Sequence, residues 1–562
     1  MGSPRTIVIV GGVAGGASAA TRARRMNEQA EIVLFEQDEH VSFANCGLPY
    51  YVGGEIKDRG KLLVATPELL ARRFRIDVRT RHEVQRIDRT RKSLTVLDRR
   101  TGELREQRYD KLILAPGASP VVPDIAGARA ANVFTLRNLQ DADRIAAAAS
   151  AAAGKKRAVV VGAGYIGLEM AEQLVRRGFQ VALAEIQPQV LPPFDAEMVE
   201  PLERALAAEG VLLCLGDGLR QIVPDASGSA AEVELASGRK LEAALVILAM
   251  GVRPNIRLAE EAGLVIGPSG GIQTNRHLQT SDPDIYAVGD AAEYVFGPTG
   301  ESLRIALAGP ANRAGRLAGE HAATGKSAPM ADVFGTSIVR AFDQVAAMTG
   351  LTIKRARQLD RPAHAVTIVA NQHAGYYPDA SPLTLKVVYD PQTGRLLGAQ
   401  AVGAEGVDKR IDVLATAMAL GAGVRDLAGL DLAYAPPFGA AKDPVHMAAF
   451  AACNDLDGIE DFLDADADLA GRQVVDVRTA DEVAKSPLAA AEGSVNIPLD
   501  ELRGRLGELD PSADTVVSCG VGLRAHVAAC ILRQHGFPRV SNLSGGATLR
   551  SRATAARSAK PR

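Results

Sequence analysis

The chain has 562 residues, 47% apolar and 23% charged, with no Trp and a net charge of −2. That length allows about three or four domains, and the near-neutral charge gives no reason to expect nucleic acid or an anionic membrane surface as partner. The five cysteines, Cys46, Cys214, Cys453, Cys519 and Cys530, are too scattered for a disulfide framework or a zinc site. They fit a reducing compartment. The apolar N-terminal run is too short for a signal core, and the alanine run at 146–153 is too short to span a bilayer. A cytoplasmic protein without metal is the expectation.

The continuous apolar run Thr6–Val10 predicts a strand buried on both faces. It breaks into Gly11-Gly12-Val13-Ala14-Gly15-Gly16, a helical stretch follows to Met26, and a second strand, Glu31–Phe35, closes on Glu36. Strand, glycine turn, helix, strand and acid form the arrangement of a dinucleotide fold. The turn brings backbone close to a pyrophosphate, the helix N-terminus faces its charge, and the acid holds the ribose. The predicted contacts are Gly11, Gly12, Val13, Ala14, Gly16 and Glu36. Val13 stands where the fingerprint has its second glycine.

Next comes SFANCGLPYY, residues 42–51. Pro49 suits the first turn of a helix, which places Cys46 at a helix N-terminus, where free N–H groups and the helix dipole favour a thiolate. The strand Leu112–Leu114 then breaks into a turn carrying Ala115 and Gly117. The nucleotide unit recurs at Ala158–Val161, Gly162-Ala163-Gly164-Tyr165-Ile166-Gly167 and Val181–Ala184, closed by Glu185. Its predicted contacts are Gly162, Gly164, Tyr165, Ile166, Gly167 and Glu185. Two such folds imply two nucleotides held against each other, naturally a flavin and a nicotinamide. No arginine follows Glu185 closely, so NADH is expected over NADPH, which remains possible. Gly251 marks the turn after Val246–Leu248, and Gly289-Asp290 follows the strand Ile285–Ala287, where Asp290 can hydrogen-bond a polyol chain.

From Thr6 to Phe450 this layout resembles the flavin-dependent pyridine nucleotide–disulfide oxidoreductases. The resemblance implies FAD on the first fold and NAD(P)H on the second, with Gly289-Asp290 on the ribityl and phosphate part. The two-cysteine branch of that family carries Cys-x-x-x-x-Cys, but the residue five on from Cys46 is Tyr51. That leaves the single-cysteine branch, and SFANCGLPYY looks like its coenzyme A–disulfide reductases. For coenzyme A the resemblance implies Ser18, Arg22, Arg25, Ser42, Asn45, Arg73 and Lys442; Arg24 is read as a solvated basic face. Phe334 to about Phe450 reads as an α/β dimerisation domain of a homodimer. By resemblance, Tyr376 in HAGYYP and Tyr434 in DLAYAPPFG reach across the dimer to the other Cys46, with Tyr377 competing with Tyr376. A phenol there donates a hydrogen bond to a leaving sulfur.

The acidic run 454–468 reads as a linker. Beyond it, a strand ends at Cys519-Gly520-Val521-Gly522-Leu523-Arg524 and a helix follows. Such a loop rings a sulfur with backbone N–H groups, and Arg524 adds a positive charge. About Leu469 to Leu549 resembles a rhodanese domain, with Cys519 as sulfur carrier. Cys530, Cys214 and Cys453 read as packing.

The expected fold class is therefore α/β: two Rossmann-like dinucleotide-binding folds, an α/β dimerisation domain and a C-terminal rhodanese-like α/β domain. The expected boundaries are 1–122 with 250–327 (FAD), 123–249 (NAD(P)H), 328–453 (dimerisation), 454–468 (linker), 469–553 (rhodanese) and 554–562 (a disordered tail). The expected function is reduction of coenzyme A disulfide, coenzyme A persulfide or polysulfide by NAD(P)H through FAD and Cys46, with sulfur transfer at Cys519. Two alternatives stay open: an NADH oxidase or peroxidase cycling Cys46 through a sulfenic acid, and a redox sensor or sulfur-relay protein.

Overall fold

The computed structural model describes residues 5–152, 156–225, 228–489, 491 and 493–558. The β-branched run Thr6–Val10 forms the middle strand of a parallel sheet ordered Ile285–Ala287, Lys111–Leu114, Thr6–Val10, Glu31–Glu36, Asp77–Thr80. Arg157–Val161 is likewise central in a second parallel sheet, between Gln180–Glu185 and Leu245–Leu248, with Leu212–Leu215 and Val133–Phe134 at the edges. Both central strands are buried on both faces, which is why they read as unbroken apolar runs. The strand Ile285–Ala287 returns to the first sheet after the second is complete, so the first fold is discontinuous. Each sheet presents its glycine turn at the carboxyl end of its central strand, where open parallel sheets bind ligands.

The third layer is an antiparallel sheet ordered Ser337–Ala341, Gln344–Gly350, Leu396–Gly403, Pro382–Tyr389, His364–Asn371. Helices Val407–Ala419 and Pro444–Leu456 pack their apolar faces on it. The fourth is a parallel sheet ordered Asp461–Leu463, Val540–Leu543, Thr515–Ser518, Gln473–Asp476, Val495–Asn496.

Three expectations are corrected. The acidic run is not a linker: Asp461–Leu463 pairs with Val540–Leu543 as the edge strand of the last sheet, and the preceding helix runs to Leu456. A three-residue edge strand carries little apolar signal, so the flanking aspartates masked it. The tail expected to be disordered begins inside the helix Gly546–Ser558. In the same helix Arg550 is buried and donates to the carbonyls of Ala465, Ala467 and Ala489. Residues 559–562 lie outside the described ones, as does Ala153 of the alanine run. Arg24 is not solvated either. It is 6% exposed and donates to the carbonyls of Asn27, Glu28, Ala30, Phe74 and Arg75, tying the ends of two helices together.

The last domain is held to the rest of the chain. Thr367 N–H donates to Ser544 Oγ at 3.0 Å, Arg552 Nη1 donates to Thr384 Oγ1 at 2.9 Å, and Arg357 pairs with Asp464. Among the described residues no helix is long and apolar enough to cross a membrane, and no cluster of three His, Cys, Asp or Glu side chains is placed to hold a metal.

Candidate active site

The two glycine turns are built alike. Gly11 has φ +94° and a Cβ there would lie 2.1 Å from the Ala115 carbonyl oxygen; Gly162 has φ +102° and faces the Ala249 oxygen at 2.4 Å. At Gly16 and Gly167 a Cβ would meet the carbonyl oxygens of Gly11 and Gly162 at 1.8 Å, so each helix lies too close to its strand for any side chain. Val13 has φ −90°, so the backbone there is not in the left-handed region that favours glycine. Gly164, its counterpart, faces open space.

The strand-end acids also match. Glu36 Oε2 accepts from Gly12 N–H at 2.8 Å and Glu185 Oε2 from Ala163 N–H at 2.7 Å. Their Oε1 atoms accept from Asp38 and Gln187 N–H, both at 2.9 Å. Burial pushes Glu36 above the usual carboxylate range. Each carboxylate keeps lone pairs free to accept ribose hydroxyls.

Both turns open on one cavity of about 2050 Å³. That is about twice the upper end of ordinary small-molecule pockets, roughly 1,000 Å³, and so suits two nucleotides rather than one. Glu36, Ala115, Gly117, Glu185, Gly251, Gly289 and Asp290 line it, as expected, and so do Ser18, Ser42, Asn45, Cys46 and Arg73. Asp290 faces Arg137 at 3.4 Å, within a turn that Gly289 allows with φ +80°. The first fold thus fits FAD: a backbone cradle only glycine permits, a ribose acceptor in Glu36 and a polyol acceptor in Asp290.

Cys46 sits in the 3-10 turn Asn45–Gly47, two residues ahead of the helix Leu48–Gly53 with Pro49 in its first turn. Its side chain is accessible from the cavity. The expected stabilisation of its thiolate is not found. Burial, and then the carboxylates of Glu169 and Asp290, push the thiol up. Glu169 was missed by sequence reasoning, although it lies on the helix that opens from the second glycine turn. Tyr50 O–H donates to its Oε1 at 3.1 Å, and burial raises it to about 7. Arg340 stacks 5.5 Å over the Tyr50 ring and pairs with Glu55 at 2.8 Å and Glu172 at 3.1 Å.

The proposed coenzyme A cations divide. Arg73 lines the cavity, and Arg25 is exposed beside it, over the Phe74 ring at 5.9 Å. Arg22 is instead committed to Glu320 at 2.5 Å. Gly315 and Gly319 let the helix Ala308–Thr324 approach the first helix so closely that a Cβ at either would meet backbone at 2.1 and 2.2 Å, which brings Glu320 against Arg22. Lys442 is exposed and lies off the cavity lining. Ser18 Oγ lies 2.7 Å from Asn312 Oδ1 and donates to it.

Tyr376 and Tyr434 lie off this cavity too. Their hydroxyls are 3.0 Å apart on an exposed face, whereas Tyr377 turns its edge to the His373 ring. In the last domain Cys519 ends the strand Thr515–Ser518, and Gly522 N–H donates to its Sγ at 3.1 Å. Gly522 has φ +106°. Arg524 faces the sulfur and pairs with Glu482 at 2.7 Å, which holds that carboxyl down to about 2. Cys214 is buried against Arg239 at 3.3 Å, and Cys453 and Cys530 are half-buried.

Comparison with known proteins gives the same division. The pyridine nucleotide-disulphide oxidoreductase model matches residues 5–315, its dimerisation domain 337–444, and the rhodanese-like domain 460–549. A coenzyme A disulfide reductase of Staphylococcus aureus is 37% identical over 446 residues, covering 79% of this chain and 99% of that protein. The reduced CoADR-RHD of Bacillus anthracis superposes with a TM-score of 0.93 at 42% identity, covering 98% of each chain. An NAD-dependent persulfide reductase from A. fulgidus superposes with a TM-score of 0.89 at 36% identity, covering 97% of this chain and 99% of that one.

Proposed function

The chain belongs to the pyridine nucleotide-disulphide oxidoreductases, as an FAD-dependent oxidoreductase with a dimerisation domain and a rhodanese-like domain, and on that footing we propose that it reduces coenzyme A persulfide, polysulfide or coenzyme A disulfide with NADH. The observation that carries this reading is the position of Cys46, which opens on the same cavity as both nucleotide turns and has no second cysteine in SFANCGLPYY. FAD, when bound, supplies the relay of two electrons from the nicotinamide to the capped sulfur. Gly11, Gly16, Glu36 and Asp290 would hold it; Gly162, Gly167 and Glu185 would hold the nicotinamide nucleotide.

The protein's own part is nucleophilic. The Cys46 thiolate attacks one sulfur of the substrate, a new S–S bond forms, and the other sulfur leaves with the bond's electron pair. Glu169, raised to about 7 and bonded to Tyr50, lines the same cavity as Cys46 and is our candidate for exchanging the proton that Cys46 gives up. Arg73 and Arg25 face the phosphates of coenzyme A. Arg22, held by Glu320, does not serve in this reading. Tyr376, paired with Tyr434 on an exposed face, serves the Cys46 of a second copy by donating a hydrogen bond to the departing sulfur.

Cys519 carries sulfane sulfur. Its thiolate takes the terminal sulfur of a persulfide donor, the donor leaves as a thiolate, and the enzyme persulfide passes that sulfur to a thiol acceptor. The domain is fixed by the Thr367, Arg357 and Arg552 contacts. A small thiol such as coenzyme A therefore moves sulfur between the two cysteines.

Anaerobic turnover with NADH and coenzyme A persulfide tests the proposal. Cys46→Ser is expected to abolish sulfide release, and release undiminished by that change would refute it. A coenzyme A adduct on Cys46, read from the intact mass, would identify the substrate class directly.

A further inference from the structure

Below the Cys519 loop lies a polar network the sulfur chemistry above does not use. Asn542, on the strand Val540–Leu543, is 2% exposed. Its Nδ2 donates to Glu460 Oε1 at 2.8 Å and to the Gly522 carbonyl at 3.2 Å. Glu460 is 1% exposed, and its other oxygen is 2.7 Å from His526 Nδ1. The Gly522 carbonyl also accepts from His526 N–H at 2.9 Å, while Gly522 N–H is the donor on Cys519 Sγ at 3.1 Å.

The chemistry of the partners fixes what Asn542 is doing. A carboxylate and a carbonyl both only accept, so the atom between them must be the amide nitrogen with its two hydrogens. The opposite orientation would set an oxygen against two acceptors. As oriented, Oδ1 is buried without a partner among the described residues. An apolar residue would avoid that cost, so the position is spent on holding the Gly522 carbonyl. Gly522 is left-handed, and glycine is the most permissive residue in the backbone. With its carbonyl held from two sides, the peptide that precedes it keeps its N–H on the sulfur.

We propose that Asn542 and Glu460 are positioning residues of the Cys519 cradle, holding the Gly522 carbonyl so that the backbone of that glycine keeps its N–H on the thiolate or persulfide anion. Glu460 stands immediately before the edge strand Asp461–Leu463, where the chain enters the domain. The cradle is thus braced by the entry segment as well as by the strand beside it. The proposal rests on the reading of Cys519 as a sulfur carrier.

The test uses the full-length holoenzyme and methyl methanethiosulfonate, with Cys519 and Cys46 modification resolved by peptide mass across pH. Asn542→Asp, nearly the same shape, places an oxygen against both acceptors. Weakening the Gly522 N–H···S bond is expected to lower the rate of Cys519 modification at neutral pH about tenfold. Cys46 reactivity and flavin reduction by NADH should be unchanged, and Glu460→Gln, which still accepts from Asn542, should lie between the variant and wild type. A Cys519 profile superimposable on wild type would overturn the proposal, as would an equal loss at Cys46. Should Asn542→Asp fail to fold, Asn542→Ala is read in the same way. Sulfur loading of wild-type Cys519 from thiosulfate is followed separately: its absence refutes the sulfur-carrier reading, while the alkylation profile still decides the positioning.

Discussion

Glu169→Gln is the substitution whose consequences the structure quantifies best. Burial raises this carboxyl from 4.5 to about 7. The folded protein therefore keeps the proton up to about pH 7, while the unfolded chain releases it near 4.5. Between those values the folded state binds more protons, so stability falls as pH rises. The shift corresponds to a penalty of about 3 kcal/mol, at 1.36 kcal/mol per unit, fully present above pH 7 and absent below 4.5. Glutamine removes it and can still accept from Tyr50 O–H. The variant should gain up to about 3 kcal/mol at pH 8 and nothing at pH 4.5. Because a multidomain chain need not unfold in one step, the sharper reading is at Cys46. Removing a neighbouring like charge should lower its apparent pKa and raise the alkylation rate of Cys46 at pH 8. Peptide-resolved alkylation of Cys46 across pH measures this. Identical profiles in variant and wild type would refute both the placement of Glu169 beside Cys46 and its role with the proton.

The two glycine turns should be separable. Gly16→Ala forces a Cβ onto the Gly11 carbonyl and should lower the flavin content of the purified protein, whereas Gly167→Ala should keep the flavin and raise KM for NADH at least tenfold, measured by steady-state kinetics. With Glu185 repelling a 2′-phosphate, kcat/KM for NADH should exceed that for NADPH by about tenfold or more. Higher efficiency with NADPH would contradict the reading of Glu185. Tyr376→Phe and Tyr434→Phe should each lower kcat, and the double change should cost clearly less than the two effects together, since one hydroxyl pair is removed either way.

The nucleotide folds were legible because their requirements are local. A glycine whose Cβ would lie within 2 Å of a carbonyl oxygen admits no other residue, and a strand buried on both faces has to be apolar throughout. Both demands leave marks within thirty residues of sequence, down to the acid at the strand end. The valine at position 13 remains a departure from the fingerprint, at a residue whose φ of −90° is not left-handed.

What stayed hidden were the partners of charged side chains. Arg22, Arg24 and Arg25 lie within four residues on one helix and have three fates: an ion pair with Glu320, a clamp on five carbonyls, and an exposed guanidinium beside the cavity. Helical spacing says which of them share a face but not what arrives to cover it. Here that depends on Gly315 and Gly319, nearly 300 residues on, which admit a second helix to backbone contact. The same holds for Cys46. Its place before a helix with proline in the first turn was correct, yet burial first, and then the carboxylates of Glu169 and Asp290 on other elements, push its thiol up. A residue's local setting fixed where the sulfur sits; its acidity answers to the burial and the carboxylates that only the assembled fold brings to it.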